Sequence, residues 1–306
     1  LHDALPIFTH IFGLQGLFWG IALLAFGGIM LTLITVPNSE HHILNRESSF
    51  VRGSVKKVLF DAQLLKLNVG IFSLHTLLMA AFVALPLIMH NAGLVNEKHW
   101  VVYLVTMLIA FISVLPFIIY AEKKRKMKQV FLLCIFLLII AQAIFMISGT
   151  SLWLIILGIQ IFFIGFNIME ALLPSLISKE APAGYKGTAM GIYSTSQFLG
   201  VALGGILGGW LYQHYDAQAV FAGCLLIGLV WFAISLTLRQ PPYVSSLRIE
   251  LPAHLSNAQQ QQLEQKFKQQ PGVNEVVIMA QEQSAYIKVD TKQTPRATLE
   301  SLVLGV

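Results

Sequence analysis

The sequence predicts an all-α polytopic membrane protein of seven spanning helices, followed by a small α+β domain. Three observations carry this. Of 306 residues, 56% are hydrophobic and only 11% charged, where a water-soluble domain carries about 25% charged residues. Seven apolar segments each reach the length a helix needs to cross a bilayer, roughly 20 residues. The apolar pattern then stops at Arg239, and from residue 244 the chain alternates like a soluble domain. Such a composition excludes a disordered chain, an ordinary nucleic-acid binder and a disulfide scaffold. Cys134 and Cys224 each lie inside an apolar run, with no spacing that would suit a disulfide or a metal.

Residues 1–7, LHDALPI, match the translation of a sequencing adapter and are expected to be non-native, a native loop stub being the alternative. The first span covers 10–36, and a polar loop follows over 37–63. In that loop Phe50, Val51, Val55, Val58 and Leu59 share one helical face, and Arg52, Lys56 and Lys57 the other. This is the pattern of a short helix lying in the membrane interface on anionic lipid, with a solvated loop as the alternative. His41 and His42 read as a solvated feature. The remaining spans run over 64–90, 98–120, 129–148, 151–177, 187–212 and 217–238. Links after the third, fourth and sixth spans are short, so those neighbours form antiparallel hairpins.

Basic residues set the orientation. Twelve Lys and Arg (Arg46, Arg52, Lys56, Lys57, Lys123, Lys124, Arg125, Lys126, Lys128, Lys179, Lys186 and Arg239) fall on one side, against Lys98 alone on the other. Short basic loops stay in the cytoplasm, so the soluble domain is expected there too. Trp100, Trp153, Trp210 and Tyr212 mark the opposite interface. In the soluble part, SSLRIEL reads as a strand and SNAQQQQLEQKFKQQPG as a capped helix burying Leu263 and Phe267. VNEVVIMA and SAYIKVD are two strands joined by a turn at 281–283, and TPRATLESLVL is a second helix with Pro295 in its first turn. Strand–helix–strand–strand–helix is the ferredoxin-like pattern without a visible last strand.

A charged side chain inside a span costs about 2.5–3.5 kcal/mol on insertion scales and is a functional candidate by default. Glu170 is the clear case, on one helical stripe with Gln160, Phe163 and Asn167. Its carboxyl group can take up and release a proton; a structural hydrogen bond to a neighbouring helix is the other reading. His75 lies mid-span, with Asn68 two turns earlier on its face, and is either a proton relay or a packing residue. Gln142 and Gln197 read as interhelical glue. The sixth span holds Gly191, Gly200, Gly204, Gly205, Gly208 and Gly209, spacings that let two helix backbones approach closely. No Ser/His/Asp set, phosphate loop or metal-ligand spacing appears, and LPAHLS stands where a metal-carrying ferredoxin-like domain has CxxC. Neither enzymatic chemistry nor a cofactor is expected.

The stretch NIMEALLPSLISKEAPAGYKGTAMGIYSTSQFLGVALGG, the basic AEKKRKMKQV and the trailing SLRIEL…SAYIKVD together resemble the major facilitator superfamily, in its drug:proton antiporter branch. The resemblance implies that 8–36 is the last helix of an N-terminal transporter half and that 37–63 is the cytoplasmic loop between halves. It makes 64–240 the C-terminal six-helix half and 244–306 a soluble ferredoxin-like domain of the bacterial inner-membrane members. On the family's antiporter motif, Gly191, Gly200, Gly204, Gly208 and Gly209 take glycine positions and Gly205 stands in place of the proline. On its charged cytoplasmic loop motif, Glu122 takes the acid position, and Lys123 and Lys126 basic ones, without the motif's glycines. The second and fifth spans would line the central cavity. That makes Glu170 and His75 proton-coupling candidates, and Asn68, Gln160, Phe163 and Asn167 substrate-cavity candidates.

The function implied is proton-coupled export of small organic compounds by alternating access. Its partners are membrane lipid, a small-molecule substrate and the N-terminal half of the same protein, with protons as coupling ion and no nucleic acid. The 306 residues alone are expected to transport nothing, since a half without its repeat has no alternating-access cavity. The alternative is a non-transporting membrane sensor acting through the soluble domain.

Overall fold

The computed structural model describes residues 4–36, 55–252, 255–279 and 282–303, with side chains of the first helix described from Gln15 onward except residue 17. His41, His42, Phe50, Val51 and Arg52 lie outside the described residues. Among the described residues, seven helices are long and apolar enough to cross a membrane. The first, α1 (Ala4–Thr35), presents exposed apolar side chains such as Phe18, Leu24 and Ile34 along its described length. A short α2 (Val55–Leu59) follows. Val58 of α2 is fully buried in the bundle core, so this residue faces protein where the amphipathic pattern had placed it toward lipid.

The bundle proper consists of α3 (Ala62–Asn91), α4 (His99–Lys123), α5 (Met127–Ile147), α6 (Leu152–Glu180), α7 (Lys186–His214) and α8 (Ala217–Leu236). Asp61 starts α3 by accepting from the Gln63 and Leu64 amides, and Asp216 starts α8 by accepting from the Ala219 amide. Short links follow α4, α5 and α7, as the hydropathy implies; of the three linked pairs only α5 and α6 pack extensively. The chief partner of α4 is α6, while α6 also packs on α5 and α3, and α8 packs on α5 and α3. The most extensive pairing joins α3 to α7.

That pairing is a seam of backbone contact. A Cβ built on Gly200, Gly204 or Gly208 would lie 2.3 Å from the Phe72 carbonyl oxygen, 2.5 Å from the Thr76 carbonyl oxygen and 2.7 Å from the Ala80 Cα, respectively. Both helices thus meet along rows spaced four residues apart. Thr76 Oγ1 crosses the seam to donate to the Gly200 carbonyl at 3.2 Å. Only three of the six glycines serve this contact. A Cβ added to Gly205 or Gly209 would meet nothing within 4 Å, and Gly191 is exposed. Gln142 departs from its expected role as well: it is fully buried, yet neither amide atom has a partner among the described residues.

The C-terminal domain is a three-stranded antiparallel sheet in the order β1 (Ser245–Glu250), β3 (Ser284–Val289), β2 (Val273–Met279). Leu247 pairs with Ile287, and Ile287 with Val276. Helices α9 (Asn257–Lys268) and α10 (Arg296–Val303) cover the sheet. A reciprocal capping box between Ser256 and Gln259 starts α9, and Leu263 and Phe267 are fully buried with Ile249, Ile287 and Leu299.

Candidate functional site

The glycine seam sets up the polar site in the bundle. One turn before Gly200, the Gln197 side chain on α7 reaches His75 on α3, with amide Nε2 and imidazole Nε2 2.9 Å apart. The other ring nitrogen, Nδ1, lies 3.3 Å from the Ile71 carbonyl. A carbonyl accepts only, so Nδ1 carries the hydrogen and Nε2 is the acceptor for the Gln197 amide. Glu170 enters from α6, with Oε1 3.6 Å from His75 Nε2. That oxygen has no hydrogen bond among the described residues. Phe166, one turn earlier on α6, meets the His75 ring edge-on at 5.7 Å. Pro174 stands four residues after Glu170 within α6; lacking an N–H, it leaves the Glu170 main-chain carbonyl without its helical donor. Three helices thus deliver an imidazole, a carboxylate and an amide to one point.

The other stripe residues of α6 point elsewhere. Gln160 donates to the Thr106 carbonyl of α4 at 3.2 Å, and Asn167 Nδ2 lies 3.3 Å from Met107 Sδ of the same helix. Phe163 is packed in a ring cluster with Phe82, Tyr103 and Phe162, and is buried rather than lining open space. Asn68 is buried, and its Oδ1 is unpartnered among the described residues. The stripe therefore splits: its first members fasten α4 to α6, and only Glu170 turns toward His75. Gln197, read from sequence as glue, is the member that sequence reasoning undervalued. Its signal was position, one turn from the tightest glycine of the seam.

A second polar cluster lies at the basic end of the bundle. Glu122 pairs with Lys179 at the end of α6, each carboxylate oxygen 2.8 Å from Nζ, and not with Lys123 or Lys126. Lys126 instead lies over the Tyr120 ring. Arg125, in the left-handed region at φ 54°, turns the chain between α4 and α5 and donates to Asp290 of the sheet domain at 2.7 Å. Lys288 Nζ donates to the Lys179 carbonyl at 2.6 Å, and the Ala183 amide donates to Glu275 at 3.0 Å. Tyr243 stands between Arg125 and Lys179, whose cationic groups are 5.1 and 5.2 Å from its ring, and burial pushes its phenol pKa up. These contacts hold the sheet domain against two links of the bundle.

The Arg125 hydrogen bond holds the Asp290 carboxyl below the usual aspartate value. A lowered carboxyl pKa contributes stability above the unfolded value of 3.8 and loses it as pH falls through the folded value. Docking of the domain is therefore expected to be unchanged between neutral pH and about pH 5, and to weaken only in stronger acid. Asp290→Asn should weaken it near neutral pH and converge on wild type in strong acid, where Asp290 is itself protonated. Limited proteolysis at 239–244 reads the docking; equal cleavage of wild type and Asp290→Asn at about pH 7 would contradict this.

Among the described residues no group of three or more His, Cys, Asp and Glu is placed to hold a metal ion. The chain matches the Major Facilitator Superfamily over residues 4–204 and 186–271, and the YajR YAM domain over 247–305. It is 55% identical over 298 residues to the inner membrane transport protein YajR of Escherichia coli (strain K12), covering 97% of this chain and 65% of that protein. The uncharacterized transporter BU466 of Buchnera aphidicola subsp. Acyrthosiphon pisum is 36% identical over 202 residues, 65% of this chain and 51% of its own length. An uncharacterized transporter of Buchnera aphidicola subsp. Baizongia pistaciae is 31% identical over 236 residues, 76% of this chain and 59% of its own length. The chain thus spans between about half and two thirds of these relatives, 51–65%. Its apolar spans, its terminal sheet domain and these matches agree: the chain belongs to the major facilitator superfamily.

Proposed function

We propose that the chain is the C-terminal part of a secondary active transporter of the bacterial inner membrane, exporting small organic compounds in exchange for protons, with the sheet domain in the cytoplasm. The observation that carries this reading is the meeting of His75, Glu170 and Gln197 from three separate helices. With Nδ1–H given to Ile71, His75 can take a proton only at Nε2, which requires the Gln197 amide to swing away or turn its oxygen toward the ring. Protonation there places an imidazolium beside the Glu170 carboxylate; protonation on Glu170 leaves both groups neutral. Either loaded state is neutral as a pair, whereas the unloaded state carries one negative charge in an apolar setting. An unpaired charge of that kind is costly, so proton release is tied to a rearrangement that brings in water or substrate. Alternating access with the N-terminal half supplies such a rearrangement.

The test uses the full-length transporter in inverted membrane vesicles, screened against small apolar amphiphiles. Glu170→Gln is expected to cut pH-gradient-driven uptake at least tenfold while leaving downhill exchange in place. Driven flux at the wild-type level would overturn the assignment. A second reading, a non-transporting sensor, is favoured by the contacts that fasten the sheet domain to the bundle. Deletion of 244–306 separates the two: a transporter keeps flux, a sensor loses its output.

A further inference from the structure

At the basic end, two lysines from different helices converge on the end of a third. Lys66, in the second turn of α3, donates from Nζ to the Thr237 carbonyl at 2.9 Å. Lys128, in the first turn of α5, donates from Nζ to the adjacent Leu236 carbonyl at 3.0 Å. These carbonyls close α8, and a helix C-terminus carries a partial negative charge of roughly half a unit. One ammonium more than offsets it, so two leave the junction positive. Each ammonium has three N–H donors and, among the described residues, spends one on α8, which leaves two apiece for an outside acceptor. Arg239 adds a guanidinium two residues beyond Thr237, its backbone N–H fixed by Gln63 Oε1 at 2.9 Å. Glu180 lies in the fields of Lys288, Asp61 and Arg239; the two carboxylates and the two cations of that group offset one another, so the two lysines bound to α8 carry the excess.

The depth and the surroundings of this junction suit a lipid. Lys66, Lys128 and Leu236 all lie within two turns of the end of an apolar span, at the level where a bilayer holds its phosphates. Leu236, whose carbonyl accepts from Lys128, is itself 52% exposed, and Leu65 and Leu133 on the two lysine-bearing helices are exposed as well. Exposed leucines on the helices that supply these ammonium and carbonyl groups suit a headgroup phosphate with acyl chains attached. A free phosphate ion has no use for the leucines. Basic pockets between spans are suited to anionic headgroups.

We propose that the junction of α3, α5 and α8, with Lys66 and Lys128 as ligands and Arg239 in support, binds the phosphate of an anionic phospholipid. The site is independent of the proton site, and so is its test. Full-length protein, purified in neutral detergent, is unfolded thermally with added phosphatidylglycerol, phosphatidylcholine or inorganic phosphate. Phosphatidylglycerol is expected to raise the midpoint by a few degrees, and the other two to raise it by less than half as much. The double variant Lys66→Gln/Lys128→Gln keeps an N–H for each α8 carbonyl while removing both charges, and should lose the phosphatidylglycerol increment. Lys66→Arg/Lys128→Arg should keep it. Because the increment is compared, a lowered baseline midpoint does not blur the result. Where the double glutamine variant gives no folded protein, the single Lys128→Gln variant is read the same way and should lose at least half the increment. Equal stabilisation by phosphatidylcholine, an increment reproduced by inorganic phosphate, or one retained in the glutamine variants would each overturn the proposal.

Discussion

Gly200→Ala is expected to destabilise the bundle by about 3 kcal/mol or more, at or above the usual range for overpacking. The added methyl would sit 2.3 Å from the Phe72 carbonyl oxygen and 3.0 Å from its Cα, so the obstacle is main chain and not the movable end of a side chain. Relief requires α3 and α7 to separate. Separation stretches the Thr76 bond to the Gly200 carbonyl and pulls Gln197 away from His75. Gly205 provides the control on the same helix: its Cβ would meet nothing within 4 Å. Gly205→Ala should therefore be neutral or gain up to about 1 kcal/mol from helix propensity. Thermal unfolding of this chain in detergent measures both. Equal midpoints for the two variants would contradict the seam. In the full-length protein, a large loss with Gly205→Ala would instead locate a helix of the N-terminal half against that face.

His75 and Glu170 are expected to act as a unit in the full-length transporter. Each single replacement, His75→Gln or Glu170→Gln, should lower proton-driven flux about 10²-fold, and the double replacement should add little beyond either alone. The reason is geometric: the two groups stand 3.6 Å apart, close enough to share one proton as proposed above, so removing either would leave the other without its charge partner. Independent roles would give multiplied losses. Gln197→Leu should produce a smaller loss, since the amide orients the ring and holds no proton. Its effect should show as a shift in the pH dependence of flux. A multiplied loss in the double variant would argue for two separate proton sites.

Much of the architecture could be read from residues because the governing terms are local. Span length, apolar content and strand alternation act segment by segment, so the helices and the strands of the terminal domain follow from short windows. Glu170 was legible for the same reason, since one carboxylate in an apolar span is costly wherever its neighbours lie. Partner choice was not legible. That Gly200 meets Phe72 while Gly205 meets nothing depends on how α7 is rotated against α3. Gln160 and Asn167 share a stripe with Glu170 but fasten to α4, because a stripe on α6 lies across the crease between two neighbours. Arg125 counted in the sequence only as one basic charge among twelve. Its contact with Asp290, 165 positions away, depends on a left-handed turn that no local preference for arginine would suggest.

The fastening of the sheet domain has a practical consequence for observing the molecule. Arg125, the Lys179 carbonyl and the Ala183 amide all belong to the same bundle, so the domain is pinned at three points to one helical unit. A compact mass rising from the membrane on one side breaks the near-symmetry of a smooth helical bundle in a detergent belt. It gives electron images a landmark for alignment. Fluorophores placed on β2 and at the Thr35 end of α1 would register any rocking of this bundle as a change in their separation, with the domain serving as the pointer.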